Sequence, residues 1–339
     1  MTIKEIAEKA NVSTMTVSNV INNKTKKVSK ATADKIKKII EENHYTPNLT
    51  ARSLTSPSSK IIGVVVPLVE FQKHNNLFLD PYLSSMLGIF EETLREKGYF
   101  FMFRSVESVD ALKNFIDNWN LDGIILVYPF FEDQIEKMME KIQIPAVYVD
   151  SNHTNLDILT VNVDDEKGTY LTTKHLIDLG HRDIAFIGDS DNYSIITKRF
   201  EGYKKALSES NISLKEDLVY KFLIDYSSGV KAGTDIAQKA IATAAVTVSD
   251  SSALGVIEGA RSHGYSVPED LSVTGYDNSF ITDYSYPKLT TVDQHIATKA
   301  QTVVDLLIDH ISKDSKMDNH VLLDVDLIVR NSTSKPKAI

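Results

Sequence analysis

The chain has 339 residues, 42% hydrophobic and 24% charged, the balance of an ordinary globular protein long enough for two or three separate cores. It has no cysteine, which excludes disulfides, thiolate metal sites and cysteine nucleophiles, and its longest dense apolar run, Ile61 to Leu68, is far too short to cross a bilayer. The formal net charge is −9, yet residues 1–60 carry 11 Lys and Arg against 5 acids, so a head of +6 precedes a body of −15. Such a split suits a chain with one end that attracts phosphate and a remainder that does not.

Thr2 and Glu5 have the spacing of a capping box, which predicts a helix from the third residue, with Ile3, Ile6, Ala7 and Ala10 on one face. Asn11-Val12-Ser13 reads as a turn, with Ser13 placed to cap a second helix whose Val17, Val20 and Ile21 point inward. Thr14, Met15, Ser18 and Asn19 are left on its outer face. A third helix over Ser29–Asn43 offers Ala33, Ile36, Ile39 and Ile40 to cover the pair, with Lys35, Lys37 and Lys38 around its other side. A small helical bundle would share this outline. The basic charge of the segment favours a helix-turn-helix reader, whose second helix enters the major groove. The first residues lack the apolar core of a signal peptide, so the expectation is a cytoplasmic protein with no membrane partner.

Pro47 disfavours helix at the residue before it, and Asn48 can cap two further turns through Leu54. A helix so short is marginal in water unless something packs on it. Thr55-Ser56-Pro57-Ser58-Ser59 reads as a polar linker. From Ile61 onward short apolar runs alternate with amphipathic ones. IIGVVVP, YFFMF, GIILVYP and PAVYVD alternate with helical stretches at Tyr82–Lys97, Val109–Trp119 and Glu132–Lys141. After a polar patch the pattern restarts with LTVNV, DIAFIG, LVYKFLI, AAVTVS and LSVTGYD, interleaved with Lys167–Leu179, Ile195–Ser208, Ser228–Ala240 and Ala253–His263. Two such series predict two doubly wound parallel-sheet lobes with a cleft between their strand ends. No Gly-rich nucleotide fingerprint or P-loop is present, and the nine histidines show no metal spacing, so neither a cofactor nor a metal is expected. Asp164-Asp165-Glu166 and Glu91-Glu92 read as a helix start and a solvated helix face, not as an acid–base pair.

The segments VSTMTVSNVIN, HYTPNLTARSL and KIIGVVVP resemble, in order and spacing, the head, hinge helix and first core strand of the LacI/GalR family of repressors. Further matches run through GHRDI, RFEGY, VPED, GYDN, PKLTTV and LIVRNS, so the resemblance covers essentially the whole chain. It implies an all-α helix-turn-helix head on an α/β, periplasmic-binding-protein-like core of two lobes joined by a hinge. The boundaries it implies are a head at 1–46 and a hinge helix and linker at 47–60. A first lobe follows at 61–158 with 289–318, a second at 159–288 with 319–333, and a tail at 334–339.

By the same resemblance, Thr14, Met15 and Asn19 read bases, while Ser13, Thr16, Asn22, Lys30 and Tyr45 contact phosphate or set position. Many relatives have Arg where this chain has Asn19. Arg pairs with guanine whereas Asn pairs with adenine, so each half-site is expected to present adenine there. In the hinge the resemblance assigns Asn48, Ala51, Arg52 and Leu54, with Leu54 as an apolar wedge into the minor groove of a palindromic operator held by a homodimer. Effector contacts fall on Asp150, Arg199, Asp250 and Asp277, with Tyr226 and Phe78 as aromatic walls. Carboxylates and a planar cation with an aromatic face are what a carbohydrate effector requires. The expected function is a non-enzymatic transcriptional repressor whose operator affinity is controlled by a small ligand, a sugar or a sugar phosphate, in the interlobe cleft. The alternative is a solute-binding protein of a carbohydrate transport system, against which the basic reading head argues.

Overall fold

The computed structural model describes all residues except 22–27, 46–57, 69–75, 129–131, 152–154, 156, 189–193, 314–316 and 338–339. It divides into two compact units, Met1–Ser59 and Lys60–Ile339.

In the first unit, α1 (Ile3–Ala10) begins at the expected capping box: Glu5 N donates to the Thr2 hydroxyl and Thr2 N to the Glu5 carboxylate, at 3.3 and 2.7 Å. Asn11 ends it in the left-handed region, φ 55°. Ser13 then caps α2 (Thr14–Ile21) by accepting from Thr16 N, and Ser29 caps α3 (Lys30–Glu42) by accepting from Thr32 N. The three helices close over Ile6, Ala7, Ala10, Val17, Val20, Ala33 and Ile36, while Ile39 and Ile40 stay partly buried. Lys35 donates to the Ala10 carbonyl, so one lysine of the basic face also satisfies the end of α1.

The second unit holds two six-stranded sheets. The first contains β1 (Ile61–Pro67), β2 (Phe100–Val106), β3 (Gly123–Val127), β4 (Ala146–Val149), β5 (Leu159–Val163) and β11 (His320–Leu323). Their spatial order is β11-β5-β4-β3-β1-β2, all parallel. The second contains β6 (Ile184–Ile187), β7 (Val219–Tyr220), β8 (Ala244–Thr247), β9 (Ser272–Asp277), β10 (Thr290–Asp293) and β12 (Asp326–Ile328). Their order is β12-β10-β9-β8-β6-β7, and only β12 runs antiparallel.

The helices of the first lobe are α4 (Pro81–Glu96), α5 (Val109–Asn118), α6 (Glu132–Ile142) and α11 (Ile296–Ser312). Those of the second are α7 (Asp165–Leu179), α8 (Ser194–Glu209), α9 (Tyr226–Lys239) and α10 (Asp250–Arg261). Both sheets are covered on both faces. In the first, Ile62, Val64 and Val66 turn towards α4 and α11, and Val65 turns towards α5 and α6. Three helices start upstream of the expected position, because Asp164, Asp225 and Ser249 accept from backbone N–H groups before the apolar periodicity begins.

The lobe boundaries differ from the expectation by one strand each. LTVNV, expected to open the second lobe, is β5 and pairs with β4; residues 290–293, expected in the first, are β10 and pair with β9. His320–Leu323, expected in the second, is β11 and pairs with β5. Strand-like composition does not say which sheet a strand joins; only pairing partners decide it. The chain therefore crosses between lobes at Asp164, at Gln294–His295 and at Asp324–Val325. These crossings are tied to one another. Asp164 N donates to the Leu323 carbonyl, Lys167 pairs with Asp324, and His295 Nε2 lies 2.9 Å from Asp326.

The second lobe also packs its helices more closely than side chains allow. Along α9 and α10 a Cβ at Gly233 would stand 2.1 Å from the Val256 carbonyl oxygen, and one at Gly255 2.1 Å from that of Tyr226.

Candidate functional site

The candidate effector residues gather at the carboxyl ends of the strands, where doubly wound sheets bind ligands. Tyr128 and Asp150 directly follow β3 and β4, Asp277 ends β9, and Asp250 opens α10 just beyond β8. Tyr128, Asp150, Asp277 and Asn278 all have positive φ, at 51°, 58°, 118° and 51°. Four non-glycine residues held in this region, two at the strand ends of each lobe, are strain that surrounding contacts must maintain, a pattern concentrated at binding sites.

Asp150 is buried and receives a hydrogen bond from Tyr82 Oη at 2.7 Å and an ion pair from Lys299. The Lys299 ammonium, with no exposed surface, also donates to Tyr82 Oη at 2.9 Å and to Gln294 Oε1 at 3.2 Å. Gln294 in turn donates to Asp277 Oδ1 at 2.6 Å. A continuous polar chain thus leads from the first lobe through the crossing at Gln294 to the last residue of β9 in the second.

Arg199 lies opposite, on α8, with its Nε 2.7 Å from Asp165 and one Nη donating to the Val248 carbonyl at 2.6 Å. Its guanidinium sits 3.7 Å over the Tyr276 ring. Burial alone would lower its pKa, but Asp165, Tyr276 and Asp277 around it hold it above the ordinary arginine range. Asp277 is moved upward by burial first and then by the nearby Asp250 charge. Burial also pushes Asp250 up, to about 7, against three donors: Ser279 N, Ser279 Oγ and Thr291 Oγ1 at 2.8, 2.9 and 2.5 Å. Gly275 leaves the room for this carboxylate, since a Cβ there would fall 2.4 Å from Asp250 Oδ1. Tyr82 and Tyr128 are raised by burial and by Asp150 and Asp80 respectively, which keeps both phenols neutral donors.

The structure thus brings Asp150, Arg199, Asp250 and Asp277 into one neighbourhood, with Asp250 committed to braces within its own lobe. Tyr226 and Phe78 are exposed and lie outside its hydrogen-bond network. Tyr226 is half exposed at the start of α9, and Phe78 is exposed in a short 3-10 turn, with its ring centroid 5.3 Å from that of Phe103. Sequence reasoning missed Tyr82, Asp165, Gln294 and Lys299. One signal was legible: Lys299 stands on the apolar stripe of α11, three residues after Ile296 and four before Val303, where a lysine has no business unless paired. A concavity of about 370 Å³, lined in part by Tyr148, Asn155 and His310, opens at the opposite, amino ends of β4 and β5, away from these carboxylates.

On the helix-turn-helix face, Thr14 and Met15 are exposed, Met15 to 70%, and Asn19 is half-buried on the same helix. Ser13 and Thr16 are hydrogen-bonded to each other at 2.9 Å as part of the cap, Lys30 is exposed at the start of α3, and Tyr45 packs on the edge of the head's core. Asn22, Asn48, Ala51, Arg52 and Leu54 lie outside the described residues. Among the described residues no group of His, Cys, Asp or Glu could hold a metal ion, and no helix is long and apolar enough to cross a membrane.

A small three-helix reader followed by a two-lobed core with a polar cluster at facing strand ends defines a ligand-sensing DNA-binding regulator. Comparisons with known proteins agree. Residues 2–48 match the domain described as bacterial regulatory proteins, lacI family, and residues 173–333 the periplasmic binding protein-like domain. The chain is 31% identical to the HTH-type transcriptional regulator MalR of Clostridium butyricum, over 98% of this chain and 99% of that one. Its fold superposes on a lac repressor dimer bound to operator and the anti-inducer ONPF with a TM-score of 0.87, at 26% identity over 98% and 99% of the two chains. It superposes on a CelR–cellobiose complex with a TM-score of 0.74, at 28% identity over 98% and 99%. The chain belongs to the lacI family of bacterial regulatory proteins and is a transcriptional regulator with a DNA-binding head. The alternative of a transport solute-binding protein falls with this.

Proposed function

We propose that this regulator is a homodimeric, cytoplasmic repressor without enzymatic activity, and that a carbohydrate bound between its lobes sets its affinity for a palindromic operator. In this reading Thr14, Met15 and Asn19 meet base edges, and Ser13, Thr16, Asn22, Lys30 and Tyr45 meet the backbone. Asn48, Ala51, Arg52 and Leu54 form the minor-groove hinge. Two copies related by a two-fold axis match the symmetry of such a site. The effector contacts are Asp150, Arg199 and Asp277, with Asp250 holding the rim and Tyr226 and Phe78 at the mouth.

The observation that supports this most is the chain of hydrogen bonds from Tyr82 and Asp150 through Lys299 and Gln294 to Asp277. It spans a lobe crossing, so a ligand that bonds to Asp150 and Asp277 acts on both lobes and on the hinge between them. Any change in operator affinity must equal the difference in ligand affinity between the two lobe arrangements.

Gel shifts on symmetric duplexes, with and without sugars that raise the thermal midpoint, test the reading. Specific binding to one symmetric duplex, altered by a stabilising sugar, is the expected outcome. No preference for any symmetric duplex over scrambled DNA at moderate salt, with or without sugar, refutes it.

A further inference from the structure

We propose that the lobe crossing at Gln294–His295 is a proton-operated clasp, in which a charged His295 draws two carboxylates of the second lobe onto the start of a first-lobe helix and so biases the angle between the lobes. The inference goes beyond the effector reading and does not depend on it, because the clasp needs no ligand.

The two residues of this crossing have different partners. Gln294 is buried and bonds to Lys299 at 3.2 Å and to Asp277 at 2.6 Å, through an amide that does not titrate. His295 is exposed, its side chain to 42%. Its Nε2 lies 2.9 Å from Asp326 Oδ2 and its Nδ1 3.7 Å from Asp293 Oδ2, while its backbone N donates to Asp293 Oδ1 at 2.8 Å. Its φ of 51° is in the left-handed region, uncommon for a residue with a side chain.

These contacts join the lobes. His295 opens α11, a helix of the first lobe, whereas Asp293 and Asp326 are paired neighbours on β10 and β12 in the second sheet. A rotation of one lobe on the other moves His295 relative to both carboxylates. Whatever strengthens the contact therefore favours one lobe arrangement by the same free energy.

Protonation strengthens it. In a neutral imidazole one nitrogen donates and the other accepts. A proton on Nε2 serves Asp326, which leaves the Nδ1 lone pair facing the Asp293 carboxylate. The charged ring has a donor for each. The surroundings add further negative charge: Asp324, in the next crossing, also acts on His295, and Asp164 at the start of α7 belongs to the same cluster. Lys167 on α7 is the cation facing them, and it is paired with Asp324. Against protonation stand the positive end of α11, which no side chain caps, and Lys299 on the same helix, whose ammonium is paired with Asp150. Histidine is the side chain whose charge changes across the physiological range, so the clasp follows pH.

The test uses the full chain, whose lack of cysteine lets Lys137→Cys on α6 and Lys231→Cys on α9 place one dye in each lobe. Labelled chain is mixed with an excess of unlabelled chain, so that energy transfer reports distances within one protomer. Transfer between pH-insensitive dyes is followed at constant ionic strength from about pH 8.5 to about pH 6, above the isoelectric point of about 5.5. The same labels are placed on His295→Asn, which is uncharged and tolerates the left-handed backbone, and on Asp326→Asn. Far-UV circular dichroism checks that each chain is folded, and His295→Gln takes the place of His295→Asn if that variant does not fold.

In the native chain the ratio of the two lobe arrangements should change about two- to fivefold across this range, the scale of a partly exposed ion pair. His295→Asn should give a flat profile. Asp326→Asn should move the titration to lower pH, since the ring has lost a counter-charge. A flat profile in the native chain overturns the proposal. So does a titration that the His295 variant leaves in place, or one that Asp326→Asn leaves unmoved.

Discussion

The Arg199–Asp165 pair offers the sharpest test of how the sensor site is held. Both side chains are almost wholly buried, 6% and 4% exposed, with Nε 2.7 Å from Oδ1. With charge centres about 4 Å apart and an effective dielectric of about 20, their attraction is about 4 kcal/mol. Desolvation offsets much of that, so the pair as a whole adds little net stability. Removing one partner is different. Asp165→Ala strands a buried guanidinium that keeps the Val248 carbonyl, the Tyr276 ring and the nearby Asp277 but no direct ion-pair partner, a loss of about 3–5 kcal/mol. Arg199→Met leaves a buried carboxylate and should cost a similar amount. The double variant strands nothing, and should fall short of the summed losses by about 2–3 kcal/mol.

Urea unfolding of the four chains, followed by far-UV circular dichroism, measures the cycle. Arg199→Met should also abolish the shift in operator affinity caused by an effector while leaving operator binding itself intact. Losses that add to within about 0.5 kcal/mol would show that the two groups are not coupled, and the account of the site as held by a buried ion pair would go with them.

In the DNA-reading head, Asn19→Arg should move the preferred base at one half-site position from adenine to guanine in a randomised-site selection, and an unchanged preference would refute the assignment of Asn19 to a base edge. Gly233→Ala would gain about 1 kcal/mol in an isolated helix, but here its Cβ meets the Val256 carbonyl oxygen at 2.1 Å, so a net loss of about 2 kcal/mol or more is expected in urea unfolding; stabilisation would contradict the close packing of α9 on α10. Burial raises the Asp250 carboxyl from its ordinary 3.8 to about 7 in the folded protein. Between these values the folded state holds a proton that the unfolded state has lost. The stabilisation is fully present below about pH 4 and is lost as pH rises through about 7, with a slope of at most about 1.4 kcal/mol per pH unit. Asp250→Asn should flatten that part of the stability profile, and parallel profiles for the two chains would refute it.

Much of the head was legible residue by residue because its chemistry is local. A capping box, a serine cap and an apolar stripe each depend on neighbours three or four positions away, and all three stand where the sequence puts them. The alternation of apolar runs with amphipathic ones likewise announced two parallel-sheet series. Resemblance pointed to Asp150, Arg199, Asp250 and Asp277, which converge, and to Tyr226 and Phe78, which the fold leaves at the surface. Nothing local separated the two groups, since an aromatic at a loop or helix start reads the same whether it faces a ligand or water.

The sequence by itself determined the kind of elements, their order and the polarity of the two ends of the chain. Tertiary structure alone decided which sheet β5, β10 and β11 joined, because a strand's pattern records that it is buried and not beside whom. It decided, too, that α9 and α10 meet through glycines that their helices would otherwise be better without. And it decided the fate of Lys299, whose carboxylate partner lies 149 residues away. A buried charge is tolerable only when its counter-charge arrives with it, and that pairing exists only once the whole lobe has closed.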